Sequence, residues 1–183
     1  MKLVNLSDFG IRNINYYWER KERYNLTEVE LAAVGLINGQ AQVDESIIPK
    51  LKMANELLKP FGFELIVKDA YRSKELYELI RKKRYEIDGQ FNTDKTFSQI
   101  KMSHSTGLAV DVSLIDLKTE LEVDMWDKLD WPDGIFINYY KLRQDPESKK
   151  YQELQDLLIG IMLKVGFKLG PRKEFHHFES IDL

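Results

Sequence analysis

The longest regular pattern in the chain is the run from Pro146 to Val165, in which apolar side chains recur at helical spacing. Asp145 stands where an N-cap is expected, and proline is favoured at the first helical position. Gly166 follows the last apolar residue, as is usual where a helix ends. The predicted buried stripe consists of Leu154, Leu157, Leu158, Ile161 and Met162. A helix with one apolar stripe must pack on a second layer, which the rest of the chain has to supply.

A helix, a strand and another helix are predicted earlier in the chain. The spacing of apolar residues predicts a helix from about Ser46 to Lys59, which Pro60 and Gly62 terminate. The alternation from Phe63 to Lys68 predicts a strand. The next helix is predicted from Ser73 to about Tyr85, with Ser73 as its N-cap.

Further strands are predicted on either side of the long helix. A strand from Ala109 to Ile115 turns back into Glu120–Val123 as a hairpin, and Phe167–Leu169 forms a second hairpin with Glu174–Glu179. We therefore expect a single α+β domain over residues 1–183, in which helices flank a mostly antiparallel central sheet.

In three segments the apolar residues do not follow the spacing of a helix or a strand. Residues 1–45 are expected to be an irregular segment packed on the core. Residues 88–102 read as a polar loop anchored by Phe91 and Phe97. Residues 124–145 read as a second long loop, and long loops in a compact domain are usually functional or disordered. The aromatic residues of this second loop argue against disorder.

Charge and cysteine content limit the possible partners. The net charge of −3 gives no reason to expect nucleic acid, and the basic run 81–84 is predicted to be the solvated face of a helix. The chain has no cysteine, which excludes disulfides, thiolate zinc ligands and a cysteine nucleophile. No apolar run is predicted to span a membrane, and residues 1–8 lack a signal-peptide pattern. We expect a cytoplasmic protein, or a periplasmic or secreted one if an export signal was removed.

All three histidines of the chain fall in two short clusters. His104 and Asp111 lie seven residues apart with Gly107 between them, and His176 and His177 lie near the C-terminus. A catalytic zinc site uses three ligands of these types and keeps an open position for water. Asp111 lies in an otherwise apolar strand, where a buried carboxylate needs a metal or a cationic partner such as an arginine.

The residues alone leave two questions open. In a regular strand Glu174 and His176 share one face and His177 the other, so either histidine could be the ligand. If Glu174 and His177 act together, a bulge or a strand entrance must redirect one of them. Arg72, where a helix is predicted to begin, could pair with Asp69 or stand beside a developing oxyanion.

The order of these motifs resembles that of the M15 zinc peptidases, most closely the D-alanyl-D-alanine dipeptidases of the VanX type. The resemblance rests on the Asp-Ala-Tyr-Arg run 69–72, on the Ser-His-x-x-Gly-x-Ala-x-Asp motif 103–111, on Leu-Asp-Trp at 129–131 and on Glu174-x-x-His177. It covers most of the chain. It implies the fold shared by hedgehog proteins and DD-peptidases.

The resemblance also implies a role for each matching residue. His104, Asp111 and His177 would bind one Zn²⁺ per chain, and Glu174 would be the general base. Arg72 would stabilise the oxyanion. The residues expected at the substrate are Ser103, Asp130 and His176, the last as packing or as support for a ligand.

Several positions differ from the family pattern, namely Met102, Thr106, Ser73 and Asn13. None of these positions is a ligand or the base, so they affect the substrate more than the reaction class. The function expected is zinc-dependent hydrolysis of a D-Ala-D-Ala-type dipeptide in cell-wall (peptidoglycan) metabolism. The alternatives are a DD-carboxypeptidase or endopeptidase acting on peptidoglycan peptides, and a non-catalytic zinc-containing binding module. The expected partner is a small peptide, not nucleic acid or a membrane.

Overall fold

A mostly antiparallel sheet with flanking helices forms a single α+β domain, as the sequence predicts. The computed structural model describes residues 1–97 and 102–181. The described helices are α1 (Tyr16–Glu19), α2 (Glu28–Ala33), α3 (Ile48–Leu58), α4 (Lys74–Ile87), α5 (Gly89–Thr96) and α6 (Pro146–Lys164). The described strands are β1 (Leu3–Asn5), β2 (Arg12–Asn13), β3 (Gln42–Asp44), β4 (Phe63–Asp69), β5 (Ala109–Asp116), β6 (Phe167–Leu169) and β7 (His177–Ser180).

The strands form two sheets. β1 pairs with β3 in an antiparallel ribbon, and the larger sheet has the strand order β2–β4–β5–β7–β6. β6 and β7 are antiparallel, with Phe167 opposite Ser180. Contacts within the domain define two compact units: residues 1–45 with 67–110, and residues 46–66 with 111–183.

The first unit has an aromatic-rich core. The core residues are Tyr17, Tyr24, Leu26, Leu31, Leu36, Leu76, Tyr77, Ile80 and Phe97. α4 begins as predicted, because the Ser73 hydroxyl accepts a hydrogen bond from the Leu76 amide at 3.1 Å. The basic run is not wholly solvated, since Arg84 is buried and donates from Nε to Asp88 Oδ2 at 3.1 Å. For Arg84 the prediction of a solvated side chain was wrong.

The first 45 residues contain more regular structure than expected. They supply three strands and the short helices α1 and α2. α2 begins with a capping box in which Thr27 and Glu30 bond to each other's backbone amides. This Thr-x-x-Glu signature is visible in the sequence, so the boundary was predictable. Tyr17 is buried in the core, which makes the aromatic segment around it part of the packing.

The second unit packs α6 against α3 and β6. α6 has the predicted start, with the Asp145 side chain accepting from the Ser148 amide at 2.8 Å. Within this unit, Lys50 of α3 binds residues next to β6 and at the end of β7. Its ammonium donates to the Gly166 carbonyl at 3.2 Å, to the Ser180 hydroxyl at 2.7 Å and to the Ile181 carbonyl at 2.6 Å.

The prediction of a polar loop over residues 88–102 was wrong for its first half, where the chain forms α5. This helix has no apolar stripe, so hydrophobic spacing gives no sign of it. Its contacts with α4 include a hydrogen bond from the Tyr85 hydroxyl to Asp94 Oδ1 at 2.8 Å. Phe97 is buried as predicted, but Phe91 is 80% exposed and is not an anchor. Residues 98–101 of the predicted loop lie outside the described residues.

The two connections after β5 are ordered. The predicted hairpin partner of β5 is reduced to an isolated bridge between Ile115 and Glu122. In the long loop 124–145 the buried Tyr140 hydroxyl accepts from the Asp127 amide at 2.8 Å. The Gln155 side chain donates to the Met125 carbonyl at 2.8 Å, which ties the loop to α6. Among the described helices, none is long and apolar enough to cross a membrane.

Candidate metal centre

His104 lies in a tight turn that leads into β5. Residues Ser103–Thr106 form a 3-10 turn, and Gly107 closes it with a φ of +71°. A side chain at Gly107 would also lie 3.0 Å from the Asp44 amide, which donates to the Gly107 carbonyl at 2.9 Å. Glycine is therefore required here both by the left-handed backbone and by the close approach of another strand.

The backbone of residues 70–72 fixes the orientation of His104. Its Nδ1 lies 2.7 Å from the Ala70 carbonyl oxygen, and the Arg72 amide donates to the His104 carbonyl at 3.2 Å. Because a carbonyl only accepts, Nδ1 carries a proton, and in the neutral ring Nε2 has the lone pair. The ring is only 3% exposed. Metal-binding histidines in proteins are held in this way, with one nitrogen donating to an acceptor and the other bound to the metal.

Asp111 and His177 face each other from β5 and β7. Asp111 Oδ1 lies 2.7 Å from His177 Nδ1, and both side chains are largely buried. The two strands are tied beside this pair, because the Val112 amide donates to the His176 carbonyl at 3.0 Å. On the other side of the His177 ring, Nε2 lies 3.9 Å from Glu179 Oε1.

The carboxylates around His177 control its protonation. Burial lowers the pKa of this imidazole, but the hydrogen bond to Asp111 and the nearby carboxylate of Glu179 outweigh burial. The charges of Asp111 and Glu174 act in the same direction, and together these groups raise the pKa of His177 to about 9. Without a metal His177 therefore carries a proton at neutral pH.

One ligand atom from each of His104, Asp111 and His177 lies within 4.8 Å of the others. Two imidazoles and one carboxylate are donors that suit Zn²⁺ and related divalent metals. The three residues predicted from the sequence therefore come together as a group that could hold a metal ion.

Glu174 precedes β7 instead of lying in it. The His177 amide donates to the Glu174 carbonyl at 3.3 Å, which makes a turn at the strand entrance. The Glu174 side chain is buried, and the segment is held by an isolated bridge between Phe136 and Glu174. This answers the question of spacing left open by the sequence, because the strand alternation does not extend back to Glu174. His176 is half-buried and packs edge-on against Phe175, with ring centroids 5.2 Å apart.

Arg72 pairs with Asp69, which is one of the two alternatives that the residues left open. Its Nε and Nη2 donate to Asp69 Oδ2 at 3.0 and 2.7 Å, and both side chains are buried. Its guanidinium carbon lies 5.1 to 5.4 Å from the ring centroids of Tyr17, Tyr77 and Phe97. The aromatic faces and the carboxylate together stabilise a buried cation in a fixed position.

Asp130, predicted to lie at the substrate, forms an ion pair with Arg143. Arg143 donates to its two oxygens at 2.9 and 3.1 Å, and the Tyr139 hydroxyl donates at 3.0 Å. Arg143 accordingly holds the pKa of Asp130 below its usual range. Ser103 is buried, and its carbonyl accepts from the Thr106 hydroxyl at 2.7 Å.

Sequence reasoning gave no role to two groups beside the histidines. The Ala70 carbonyl left no signal, because every residue carries one. Glu179 did leave a signal, since alternation along β7 puts it on the same face as His177. No family model and no curated protein sequence matches the chain.

Proposed function

We propose that this chain is a zinc-dependent peptidase that hydrolyses a dipeptide of the D-Ala-D-Ala type. The observation that supports this most is the grouping of His104, Asp111 and His177, with the buried Glu174 three residues before the last of them. Three protein ligands leave one position of a tetrahedral zinc open, which distinguishes catalytic from structural sites.

The donor set fits zinc in chemistry as well as in number. His104 offers Nε2 because its Nδ1 is held by Ala70, and Asp111 offers a carboxylate oxygen. His177 offers the nitrogen that faces Asp111 once its proton is lost. A zinc ion at such a site supplies a nucleophile from water near neutral pH and polarises the scissile carbonyl.

Glu174 would take the proton of the attacking water and pass it to the leaving amine. Its side chain is buried, and its charge is one of those that raise the pKa of His177. A base in this role contributes a factor of about 10² to 10⁴ to the rate. A binding module with no catalytic function has no need of a carboxylate there.

Arg72 would stabilise the negative charge that develops on the scissile carbonyl oxygen. Its pairing with Asp69 does not conflict with this role, because the two bonds to one carboxylate oxygen fix the guanidinium in place. A cation already fixed before the reaction costs little reorganisation when charge develops.

The alternative substrate is a longer peptidoglycan peptide, cleaved by a carboxypeptidase or endopeptidase reaction. The pairing of Asp130 with Arg143 and Tyr139 favours this alternative. A dipeptidase needs a group that recognises a free amino terminus, and a carboxylate held by an arginine fork is poorly placed to do so. The pairing of Asp130 is therefore the feature that best distinguishes the two candidate substrates.

The test compares hydrolysis of free D-Ala-D-Ala with that of a muropeptide ending in D-Ala-D-Ala. We expect either activity to be lost on chelation and restored by zinc. Full activity with no bound metal would contradict the proposal. Cleavage of the muropeptide alone would select the carboxypeptidase alternative, and Arg143→Ala should then leave that activity largely intact.

Glu174→Ala distinguishes an enzyme from a binding module. We expect turnover to fall by about 10² to 10⁴ while zinc content is retained. Glu153→Ala, at an exposed position of α6, is the matched control and should keep full turnover. Retained activity in Glu174→Ala would refute the assigned role of this residue.

A further inference from the structure

Glu179 is a buried carboxylate beside the candidate metal ligands that the proposed reaction does not use. It lies two residues after His177 in β7 and is 7% exposed. Its Oε1 lies 3.9 Å from His177 Nε2, and its Oε2 lies 3.9 Å from the Lys168 ammonium. Burying a carboxylate is costly unless it has partners, so its position beside an imidazole needs a physical reason.

The orientation of the His177 ring supplies that reason. Its Nδ1 edge faces Asp111, with 2.7 Å between Nδ1 and Oδ1. Its Nε2 edge lies against Gly170, where an added Cβ would come within 2.8 Å of Nε2. Nδ1 of the ring therefore faces Asp111, another candidate ligand, and Nε2 faces Glu179.

A histidine that binds a metal through one nitrogen keeps a proton on the other, and that N–H needs an acceptor. For His104 the acceptor is the Ala70 carbonyl. For His177 the group on the side away from Asp111 is Glu179. A carboxylate in this position fixes the ring orientation and makes the metal-binding nitrogen more basic.

We propose that Glu179 is a positioning residue that accepts a hydrogen bond from His177 Nε2 and so directs Nδ1 to the metal. The proposal rests on the zinc site of the proposed function. It requires the carboxylate to move from 3.9 Å to hydrogen-bond distance when zinc binds. It also assigns different metal-binding nitrogens to the two histidines, Nε2 in His104 and Nδ1 in His177.

The experiment measures zinc affinity by competition with a chromophoric chelator for the full chain and its variants. We expect Glu179→Ala to bind zinc about 10 to 100-fold more weakly, as is usual when an outer partner of a ligand is removed. Glu179→Gln keeps an acceptor oxygen without the charge, so its loss should be smaller. Glu153→Ala, an exposed glutamate of α6, is the control and should bind like the wild type.

The second readout is nitrogen-15 NMR of the imidazoles with zinc bound. The expected result is that His177 has its proton on Nε2 and its metal on Nδ1, with the opposite arrangement in His104. Metal on Nε2 of His177 would overturn the proposal. This readout does not depend on activity.

The outcomes separate the two levels of inference. If the wild type binds no zinc, the proposed function fails and this proposal falls with it. If the wild type binds zinc and Glu179→Ala binds it equally tightly, only the role of Glu179 is overturned. If Glu179→Ala does not fold, the imidazole NMR of the zinc-bound wild type decides, and metal on Nε2 of His177 contradicts the proposal.

Discussion

His104 and His177 belong to one group of candidate ligands, yet the chain holds them in different ways. His104 donates from Nδ1 to a backbone carbonyl, an acceptor that does not titrate. His177 lies between the side chains of Asp111 and Glu179, and its pKa is raised to about 9. The backbone therefore sets which nitrogen of His104 donates a proton, whereas neighbouring charges raise the pKa of His177.

This difference has a consequence for metal binding. Nδ1 of His104 already donates to a backbone carbonyl, so Nε2 is the nitrogen that can bind a metal. His177 must first lose a proton that two carboxylates hold in place. Metal and proton compete at His177, and metal binding should release a proton to solvent. The carboxylates that oppose the loss of this proton also stabilise the folded chain when the metal is absent.

Removing each histidine should affect the metal-free protein to a different extent. His177→Ala leaves Asp111 and Glu179 near each other without the cation between them, so we expect a loss of about 3 to 5 kcal/mol of unfolding free energy. His104→Ala removes the donor to the buried Ala70 carbonyl, which costs about 1 to 3 kcal/mol. Urea unfolding in the presence of a chelator measures both losses.

His176→Ala is the control for this pair of variants. Its half-buried ring has an edge-on aromatic contact, so the loss should be about 0.5 to 1.5 kcal/mol. Equal losses for His104→Ala and His177→Ala would show that the two rings are held by forces of similar size.

The pH dependence of stability should separate the two histidines. The folded pKa of His177, about 9, lies above the ordinary histidine value of 6.5, so the protonated form stabilises the metal-free fold. This contribution is complete below about pH 6.5 and is lost as the pH rises through 9. We expect a decrease on the order of 3 kcal/mol over that range, measured by urea unfolding with chelator present.

Asp111→Asn sharpens the same measurement. It removes the charge and weakens the hydrogen bond that most raises the pKa of His177, so the decrease should shrink. A pH profile as steep as that of the wild type would mean that another group is responsible.

Gly170 tests the packing on the other side of the His177 ring. A Cβ at this position would come within 2.8 Å of His177 Nε2, so Gly170→Ala must displace the ring. We expect a loss of about 1 to 3 kcal/mol in thermal unfolding and weaker zinc binding. Gly160→Ala is the matched control: Gly160 lies inside α6 with open space around it, and alanine there should stabilise by about 0.5 to 1 kcal/mol.

The sequence predicts the long elements well because their signals are local. α6 begins after Asp145 and α4 after Ser73, where capping chemistry places them. α5 was missed because a polar helix that contacts α4 has no hydrophobic period of its own. The sequence also supplies the candidate metal group, since all three residues carry ligand side chains, although only the family resemblance selected His177 over His176.

The sequence could not predict the hydrogen-bond partners and the local backbone around each site residue. The Ala70 carbonyl that fixes His104 has no side-chain signature, and Arg143 reaches Asp130 from thirteen residues away within an irregular loop. Glu174 was predicted within a strand, although the turn that ends at His177 places it before β7. Glu179 could have been recognised, because strand alternation puts it beside His177.

The most direct test of the central claim is the zinc content of the purified chain and of its ligand variants. The account predicts one zinc per chain in the wild type, lost in His104→Ala, Asp111→Ala and His177→Ala but retained in His176→Ala. A wild type that binds no zinc, or zinc retained at full stoichiometry and affinity in all three ligand variants, would contradict it.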